Sequence, residues 1–348
     1  MCCVKRGVME ILRNRLLFLL RAVFRLVGNK LVLICLFTLQ SFSVCCFSNE
    51  LLESCWSNSD LKGTPQEKVI HPSTAHREGH APSRLRPNAG IAELPQTWRN
   101  SIRRVQIPDG KKLIALTFDL CERENEVAGY DAEIVNCLRA NRVKATFFAG
   151  GKWMQSHRDR TMQLMADPLF ELGTHGWVHE NFRLLSRKEA EERFLWSQAQ
   201  YEILREELQT KCCPGDTSKG MENIPALPRV FRFPFGTCNA ASLDMLAAYG
   251  VAAIQWDVVS GDPAKGQTGK GISEIFLNQS KPGSIVIFHA NGRGHGTSQA
   301  LPALIATLRS RGFEFVTVSE LLQAGTPVAS PDCYELKPGD NLRYDKFK

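Results

Sequence analysis

The sequence predicts an α/β fold with parallel strands covered by helices, either a (β/α) barrel or an open sheet. Short apolar runs typical of buried strands alternate with helical stretches from Lys111 onward. Repeated strand–helix units require parallel strands, since each crossover helix returns the chain to the same edge of the sheet. Polar residues suited to catalysis follow several of these strands, as they do in parallel barrels. Residues 109–326 are therefore predicted to form one catalytic domain.

Each predicted strand is an apolar run of limited length bounded by polar residues or glycine. The predicted strands cover residues 112–120, 144–150, 169–176, 229–235, 251–258, 284–290 and 313–318. The clearest helix runs from about Ser186 to about Leu208, with Ser186 as N-cap and Glu189 completing a capping box. The other predicted helices cover residues 129–140, 240–249, 271–279 and 297–311.

The amino-terminal segment has the layout of an export signal. Residues 1–47 place a basic stretch before an uncharged apolar run at 31–47, which predicts a signal peptide or an uncleaved membrane anchor. We therefore expect the protein to be exported to the periplasm, the cell envelope or the medium, with membrane contact only through that anchor. Residues 48–108 are predicted to be a poorly ordered linker, and residues 327–348 a carboxyl-terminal tail.

Charge and cysteine content narrow the function classes. The net charge is +7, but residues 1–43 hold seven basic residues against one acidic residue, so the remaining chain is nearly neutral. A neutral body gives little electrostatic attraction for nucleic acid, and no nucleic-acid partner is predicted. The twelve cysteines include no CxxC pair, which argues against a structural zinc site. Export would permit disulfides, but the sequence does not show which cysteines pair.

Two histidines and a carboxylate predict a metal-assisted site. His175 and His179 are four residues apart, so on one turn of helix both would face the same ion, and neutral imidazoles suit zinc. Asp119 ends an apolar strand, where a carboxylate is costly unless it is paired, solvated or catalytic.

Further candidates end other strands. Arg232 can hold a carboxylate in place, and Phe235, between Pro234 and Gly236, can present a backbone N–H to an oxyanion. His289 ends a strand and becomes a general acid if a carboxylate raises its pKa. Asp257 is also predicted to lie on this rim.

The order of these motifs (TFD, HxxxH, RFPFG, WDxxxxDP and IxxFH) resembles the polysaccharide deacetylase family, the NodB-type domain of carbohydrate esterase family 4. The resemblance implies a distorted (β/α) barrel and metal-dependent removal of N-acetyl, sometimes O-acetyl, groups from sugars. By resemblance, Asp119 is the catalytic base, His175 and His179 bind the metal, and Arg232 tethers the base. The same resemblance implies that the Phe235 N–H binds the oxyanion, Asp262 tunes the acid, and His289 is that acid.

The sequence departs from the family at two places. The family has a second, metal-binding aspartate where this chain has Leu120, which cannot ligate. Three alternatives stay open. Glu122 supplies the missing ligand, Asp119 moves onto the metal and leaves base duty to Glu122 or Glu126, or two histidines and waters hold the ion. Pro263 replaces the usual tryptophan after Asp262, and Trp153 or Trp177 is a candidate replacement surface for sugar stacking.

The predicted function is a deacetylase of a polysaccharide or oligosaccharide that contains N-acetylglucosamine, with a divalent metal, zinc or a similar ion such as cobalt. The alternatives are a catalytically impaired carbohydrate-binding protein on the same scaffold and a hydrolase of other C–N bonds.

Overall fold

The computed structural model describes residues 50–73, 80–90, 92–213 and 220–347. The predicted leader lies outside these residues, and within them no helix combines the length and apolarity needed to cross a membrane. The strands are β1 (His71–Pro72), β2 (Ser101–Gln106), β3 (Leu113–Leu120), β4 (Glu126–Val127), β5 (Ala145–Ala149), β6 (Phe170–Thr174), β7 (Val230–Phe231), β8 (Ala252–Ala253), β9 (Val258–Val259), β10 (Ile285–His289), β11 (Glu314–Phe315) and β12 (Thr326–Ser330). The α-helices are α1 (Glu50–Cys55), α2 (Asn58–Lys62), α3 (Ala132–Ala140), α4 (Gly151–Ser156), α5 (Arg158–Ala166), α6 (Arg187–Cys212), α7 (Ala240–Ala248), α8 (Gly269–Gln279), α9 (Thr297–Ser310) and α10 (Val318–Gln323).

An eight-stranded parallel sheet forms the body, in the order β8-β7-β6-β5-β3-β10-β9, with β11 paired to the start of β3. The sheet curls into a half-barrel covered by helices, which confirms the predicted α/β barrel class. Strand β2 lies between the two ends of this curl: Ile102 bridges to Ile254, beyond β8, and Arg104 bridges to Ser284, before β10. The barrel is therefore distorted, with short strands on one side.

Strand β3 is buried along its whole length, as its continuous apolar run predicts. Successive side chains point to opposite faces. Leu116, Phe118 and Leu120 join the core between sheet and helices, whereas Ala115 joins a second cluster inside the barrel. Leu120 is thus a core residue. Because Asp119 precedes it, Asp119 faces the barrel interior.

Helix α6 is the longest described helix, and it confirms the prediction made from its start signal. Ser186 accepts from the backbone N–H of Glu189, and the Glu189 carboxylate accepts from the N–H of Ser186, so the capping box is formed. The predicted helices at 129–140, 240–249, 271–279 and 297–311 correspond to α3, α7, α8 and α9, each within three residues. Helices α4 and α5 were not predicted.

Three predicted strands are much shorter than expected, and the run at 313–318 gives only β11. The run at 229–235 gives only β7, because Pro234 and the positive φ of Phe235 turn the chain into a 3₁₀ helix over Pro234–Gly236. The run at 251–258 contains only β8 and the first residue of β9.

The prediction of a poorly ordered linker is wrong for the described part of residues 48–108. Strand β2, within that range, pairs antiparallel with β12, which lies mostly in the predicted tail. Disulfides Cys55–Cys212 and Cys238–Cys333 join both predicted extensions to the barrel. The described part of residues 48–108 and residues 327–347 therefore belong to the folded unit, and the disulfides agree with an oxidising compartment.

Candidate active site

The candidate site lies at the carboxyl ends of the central strands. Asp119 of β3 is in register with His289 of β10, so the two residues are neighbours across the sheet. His175 directly follows β6, and Arg232 directly follows β7. The structure therefore brings together four of the residues that the sequence predicted to share one rim.

Arg232 organises the floor of this site. Its guanidinium donates from Nη1 to Asp119 Oδ1 at 2.8 Å and to Thr117 Oγ1 at 2.7 Å. The guanidinium lies 4.1 Å from the ring centroid of Phe148 and 5.4 Å from that of Trp256, and the Arg232 side chain has no exposed surface. Arg232 is a fixed, dry cation that holds one Asp119 oxygen in place.

The same pairing sets the charge of Asp119. Burial by itself raises the pKa of this carboxyl, but the charge of Arg232, with contributions from His175 and His289, outweighs burial and lowers the pKa of Asp119 below its ordinary value. Asp119 is therefore ionised at neutral pH. Its second oxygen, Oδ2, lies 3.8 Å from His175 Nε2, beyond hydrogen-bond range.

His175 and His179 come together, but not on a helix as predicted. Residues 175–180 are irregular, and positive φ angles at Gly176 (70°) and His179 (64°) turn the chain so that the two imidazole ring centroids are 5.2 Å apart. The positive φ of His179 is uncommon for a residue with a side chain, and such backbone strain often marks a functional site.

Each imidazole presents an unused nitrogen. His175 Nδ1 lies 2.7 Å from the backbone oxygen of Arg232, so Nδ1 carries the proton and Nε2 has a free lone pair. His175 Nε2 and His179 Nδ1 are buried without a hydrogen-bond partner. Burial lowers the pKa of both histidines, which keeps the rings neutral. Orphaned, neutral ring nitrogens are the state that a divalent metal requires.

Cys121 is the third potential ligand near these histidines, and sequence reasoning missed it. Cys121, His175 and His179 each offer a donor atom within 4.8 Å of the other two. Burial raises the pKa of the Cys121 thiol to about 12, so without a cation it is a neutral thiol. A signal was present in the sequence: Cys121 lies two residues after Asp119, which in an extended chain places both on one face.

The structure does not support Glu122 as a ligand. Its Oε1 accepts from Ser156 Oγ at 2.6 Å and its Oε2 from the Ala128 N–H at 2.9 Å. Lys152 Nζ lies 3.2 Å from Oε1, and both side chains are fully buried. Both oxygens are thus engaged away from the histidines.

The backbone of the loop after β3 is fixed by Lys152, although residues 123–125 are exposed. Lys152 Nζ donates to the backbone oxygens of Arg123, Glu124 and Glu126. The Glu126 carboxylate is paired with Arg293 at 2.5 Å. This arrangement disfavours Glu126 as a free base, and leaves Asp119 as the carboxylate that faces the histidines.

His289 and Asp262 form the second charge pair. Asp262 Oδ1 lies 2.9 Å from His289 Nδ1, and Asp262 Oδ2 accepts from the His289 backbone N–H at 2.8 Å and from Thr297 Oγ1 at 2.8 Å. Burial lowers the pKa of His289, but the charge and hydrogen bond of Asp262 outweigh it, so the net pKa is raised. His289 therefore keeps its proton to a higher pH than an ordinary histidine.

Phe235 brings an aromatic cluster to the histidines. Its ring centroid is 4.3 Å from that of His179, and it packs against Tyr344 at 5.4 Å and Phe347 at 5.7 Å. Phe347 is 43% exposed. The predicted tail therefore supplies an apolar surface beside the site, which the sequence did not reveal.

Three other predicted site residues lie elsewhere. Trp153 and Trp177 are fully buried core residues, so neither offers a surface for sugar stacking. Asp257 precedes β9, and its oxygens accept from the Ile285 N–H and from Ser284 Oγ, at the start of β10. Asp257 thus lies at the amino ends of the strands and caps them, away from the carboxyl-end rim.

Solved structures share the half-barrel fold of this chain. A peptidoglycan N-acetylglucosamine deacetylase aligns with a TM-score of 0.53 and 23% identity, covering 64% of this chain and 93% of that one. A mutant protein from Bacillus anthracis is described as a carbohydrate esterase family 4 pseudoenzyme with restored enzymatic activity. It aligns with a TM-score of 0.51 and 23% identity, covering 64% of this chain and 71% of that one.

The particular family follows from sequence comparison. Residues 106–216 match the model of the polysaccharide deacetylase family. A peptidoglycan-N-acetylglucosamine deacetylase of Bacillus cereus is 27% identical over 222 residues, which is 63% of this chain and 92% of the relative. These matches support the resemblance to the polysaccharide deacetylase family that the motifs predicted.

Proposed function

We propose that this protein is a metal-dependent deacetylase that removes N-acetyl groups from a polysaccharide or oligosaccharide containing N-acetylglucosamine. The observation that carries the proposal is the pairing of two oppositely tuned groups on neighbouring strands. Arg232 lowers the pKa of Asp119, and Asp262 raises the pKa of His289. A base and an acid whose environments push their pKa values apart are what amide hydrolysis requires.

The unused nitrogens of His175 and His179 support metal binding. Zinc suits neutral imidazoles, and cobalt has similar preferences. Bound there, a divalent ion supplies Lewis-acid chemistry, polarising the acetyl carbonyl and lowering the pKa of a coordinated water.

The protein's own groups then divide the proton transfers. Asp119 removes a proton from the attacking water, and Arg232 keeps the carboxylate aimed and charged. The backbone N–H of Phe235 donates to the oxyanion that develops on the acetyl oxygen. His289 delivers its proton to the sugar nitrogen as the C–N bond breaks. Water and amide are consumed, and acetate and a free amine leave. Each proton transfer contributes about 10²–10⁴ in rate.

A catalytically impaired glycan-binding protein is the competing function, and the pseudoenzyme among the structural relatives has the same fold. A binder needs neither a buried Arg232–Asp119 pair nor an imidazole held protonated by Asp262, since both cost desolvation energy without adding contact with a sugar. Their presence favours turnover. The proposed substrate is outside the cytoplasm, as the predicted leader implies.

The test is acetate release from a panel of N-acetylglucosamine polymers, peptidoglycan and chitin oligomers, with chelated protein and with zinc or cobalt restored. We expect release only with metal, and a loss of at least about 100-fold in Asp119→Asn or His289→Ala. Matched controls are Asp244→Asn and His80→Ala, which alter exposed residues of the same types. Glycan binding without acetate release from any substrate would instead favour the impaired binder.

A further inference from the structure

We propose that the sulfur of Cys121 is the third protein ligand of the metal, giving a Cys–His–His site where relatives use a carboxylate. The inference rests on the metal dependence proposed above and names the residue that replaces the missing aspartate. The sequence motifs assign no role to Cys121, and the inference follows from the position of its sulfur beside the ring nitrogens of His175 and His179.

The chain path places the sulfur at the site. In β3, the Leu120 side chain packs into the core between sheet and helices, so it contributes nothing to the rim. Cys121 follows on the face of Asp119, and its sulfur comes within 4.8 Å of a ring nitrogen of both His175 and His179. Within the described parts of the chain, no other three histidine, cysteine or acidic groups are so close together.

The distances fit one ion. Zinc–nitrogen and zinc–sulfur bonds of about 2.0–2.3 Å place tetrahedral ligand atoms roughly 3.5 Å apart. The three donor atoms are therefore close enough for a shift of about an ångström to complete the shell. The two unpartnered, buried imidazole nitrogens point to a ligand independently of the cysteine.

The surroundings of Cys121 suit a thiolate on a metal. Asn291 Nδ2 donates to the Cys121 backbone oxygen at 2.7 Å and lies 3.0 Å from the sulfur. N–H donors to a coordinating sulfur fix its direction and stabilise its charge, as outer-shell partners of metal ligands do. The Asn291 side chain is fully buried, so this donor is not shared with solvent.

The competing carboxylates are engaged. Both oxygens of Glu122 are satisfied by Ser156 and Ala128, and Asp119 Oδ1 is tied to Arg232. A cysteine ligand leaves Asp119 free to act as the base. A soft thiolate also favours zinc or cobalt over magnesium or manganese.

Cobalt(II) reports a thiolate ligand directly, without any substrate. Metal is removed from the full-length protein with a chelator. Mild reduction keeps the free thiols reduced and leaves the disulfides intact, and the protein is then titrated with cobalt(II). We expect a near-ultraviolet thiolate-to-cobalt charge-transfer band in the wild type and in Cys137→Ser, a second free cysteine outside the site. The band should be lost in Cys121→Ser and Cys121→Asp. Because other cysteines are present, the difference between wild type and Cys121→Ser isolates the site.

Zinc affinity is the second readout. Cys121→Ser should weaken zinc binding by more than the 10–100-fold typical of an outer-shell partner, while Cys121→Asp should recover part of the loss. If the serine variant does not fold, X-ray absorption of zinc-loaded wild type decides alone, with one sulfur expected at about 2.3 Å.

The proposal is overturned if the charge-transfer band is unchanged in Cys121→Ser. It is also overturned if the zinc shell contains no sulfur or if the wild type binds neither metal. The outcomes separate the two proposals. A sulfur-bound metal without acetate release from any glycan refutes the proposed activity alone, and metal-dependent acetate release with an all-nitrogen and oxygen shell refutes only Cys121.

Discussion

The buried Arg232–Asp119 pair offers a test of how the site is built. Arg232→Met keeps an unbranched stem that fills part of the space but leaves the Asp119 carboxylate buried without its cation. Removing one partner of a fully buried ion pair costs about 3–5 kcal/mol. That loss is a large share of the 5–15 kcal/mol by which proteins are stable, so the variant should fold but unfold easily.

The double variant Arg232→Met/Asp119→Asn separates the charge from the packing. Without the carboxylate no unpaired charge remains, and the free energy of unfolding should recover by about 0.5–3 kcal/mol relative to the sum of the single variants. Urea denaturation with the disulfides intact measures the free energy of unfolding of each variant. The control is Arg187→Met, at the exposed start of a helix, which should change that free energy by at most about 0.5 kcal/mol.

The pH dependence has a defined sign. In the wild type Asp119 has a lowered pKa, so its pairing stabilises the fold above the ordinary Asp value of about 3.9 and this stabilisation is lost as pH falls through the lower folded pKa. In Arg232→Met burial is unopposed and the carboxyl takes up a proton more readily. The stability gap between the two proteins should therefore narrow in acid. A cost no larger than that of Arg187→Met, or strictly additive single variants, would refute the reasoning.

The remaining predictions concern the acid and the aromatic cluster. Asp262→Asn removes the charge that offsets burial of His289, so the alkaline limb of the pH profile of kcat/KM should move to lower pH; an unmoved limb would exclude His289 as the acid that Asp262 tunes. Phe347→Ala removes an exposed ring stacked on Phe235, which contacts His179, so KM for glycan oligomers should rise several-fold with kcat nearly unchanged. Equal KM values for variant and wild type would show that the predicted tail does not touch the sugar.

In the proposed mechanism Asp119 acts as the base and is not a metal ligand. Leu120 leaves open whether Asp119 binds metal, and the structure favours the base, since Arg232 holds one oxygen and the other is 3.8 Å from His175 Nε2. The proposed base, Asp119, and the proposed metal ligand, Cys121, are thus different residues at the end of β3. A carboxylate kept off the metal retains its basicity.

Several features were predictable because local rules produce them. The continuous apolar run of β3 requires burial on both faces, and the Ser186–Glu189 capping box starts α6 whatever surrounds it. Strand ends place Asp119, Arg232 and His289 on one rim, since parallel strands share their carboxyl edge. The motif order predicted the family resemblance for the same reason, since the chemistry limits which residue types suit those strand ends.

Other features were decided only by tertiary contacts. Nothing local shows that Asp257 caps the opposite end of the sheet, because its partners at 284 and 285 are distant in sequence. The linker and tail read as polar segments, yet β2–β12 pairing and two disulfides order them through contacts across more than 90 residues. A periodicity argument cannot detect pairing at such separation.

The sequence by itself predicted the barrel class, the resemblance to the family and the rim shared by Asp119, Arg232 and His289, because strand periodicity and strand-end chemistry are local in the chain. Only the tertiary structure placed the sulfur of Cys121 beside the two histidines and fixed the contacts of the acidic loop. Lys152, from the next strand–helix unit, donates hydrogen bonds to the backbone oxygens of Arg123 and Glu126. Ser156 donates a hydrogen bond to the Glu122 carboxylate. With the nearest carboxylate engaged, the donor that faces the two histidines is the sulfur of Cys121.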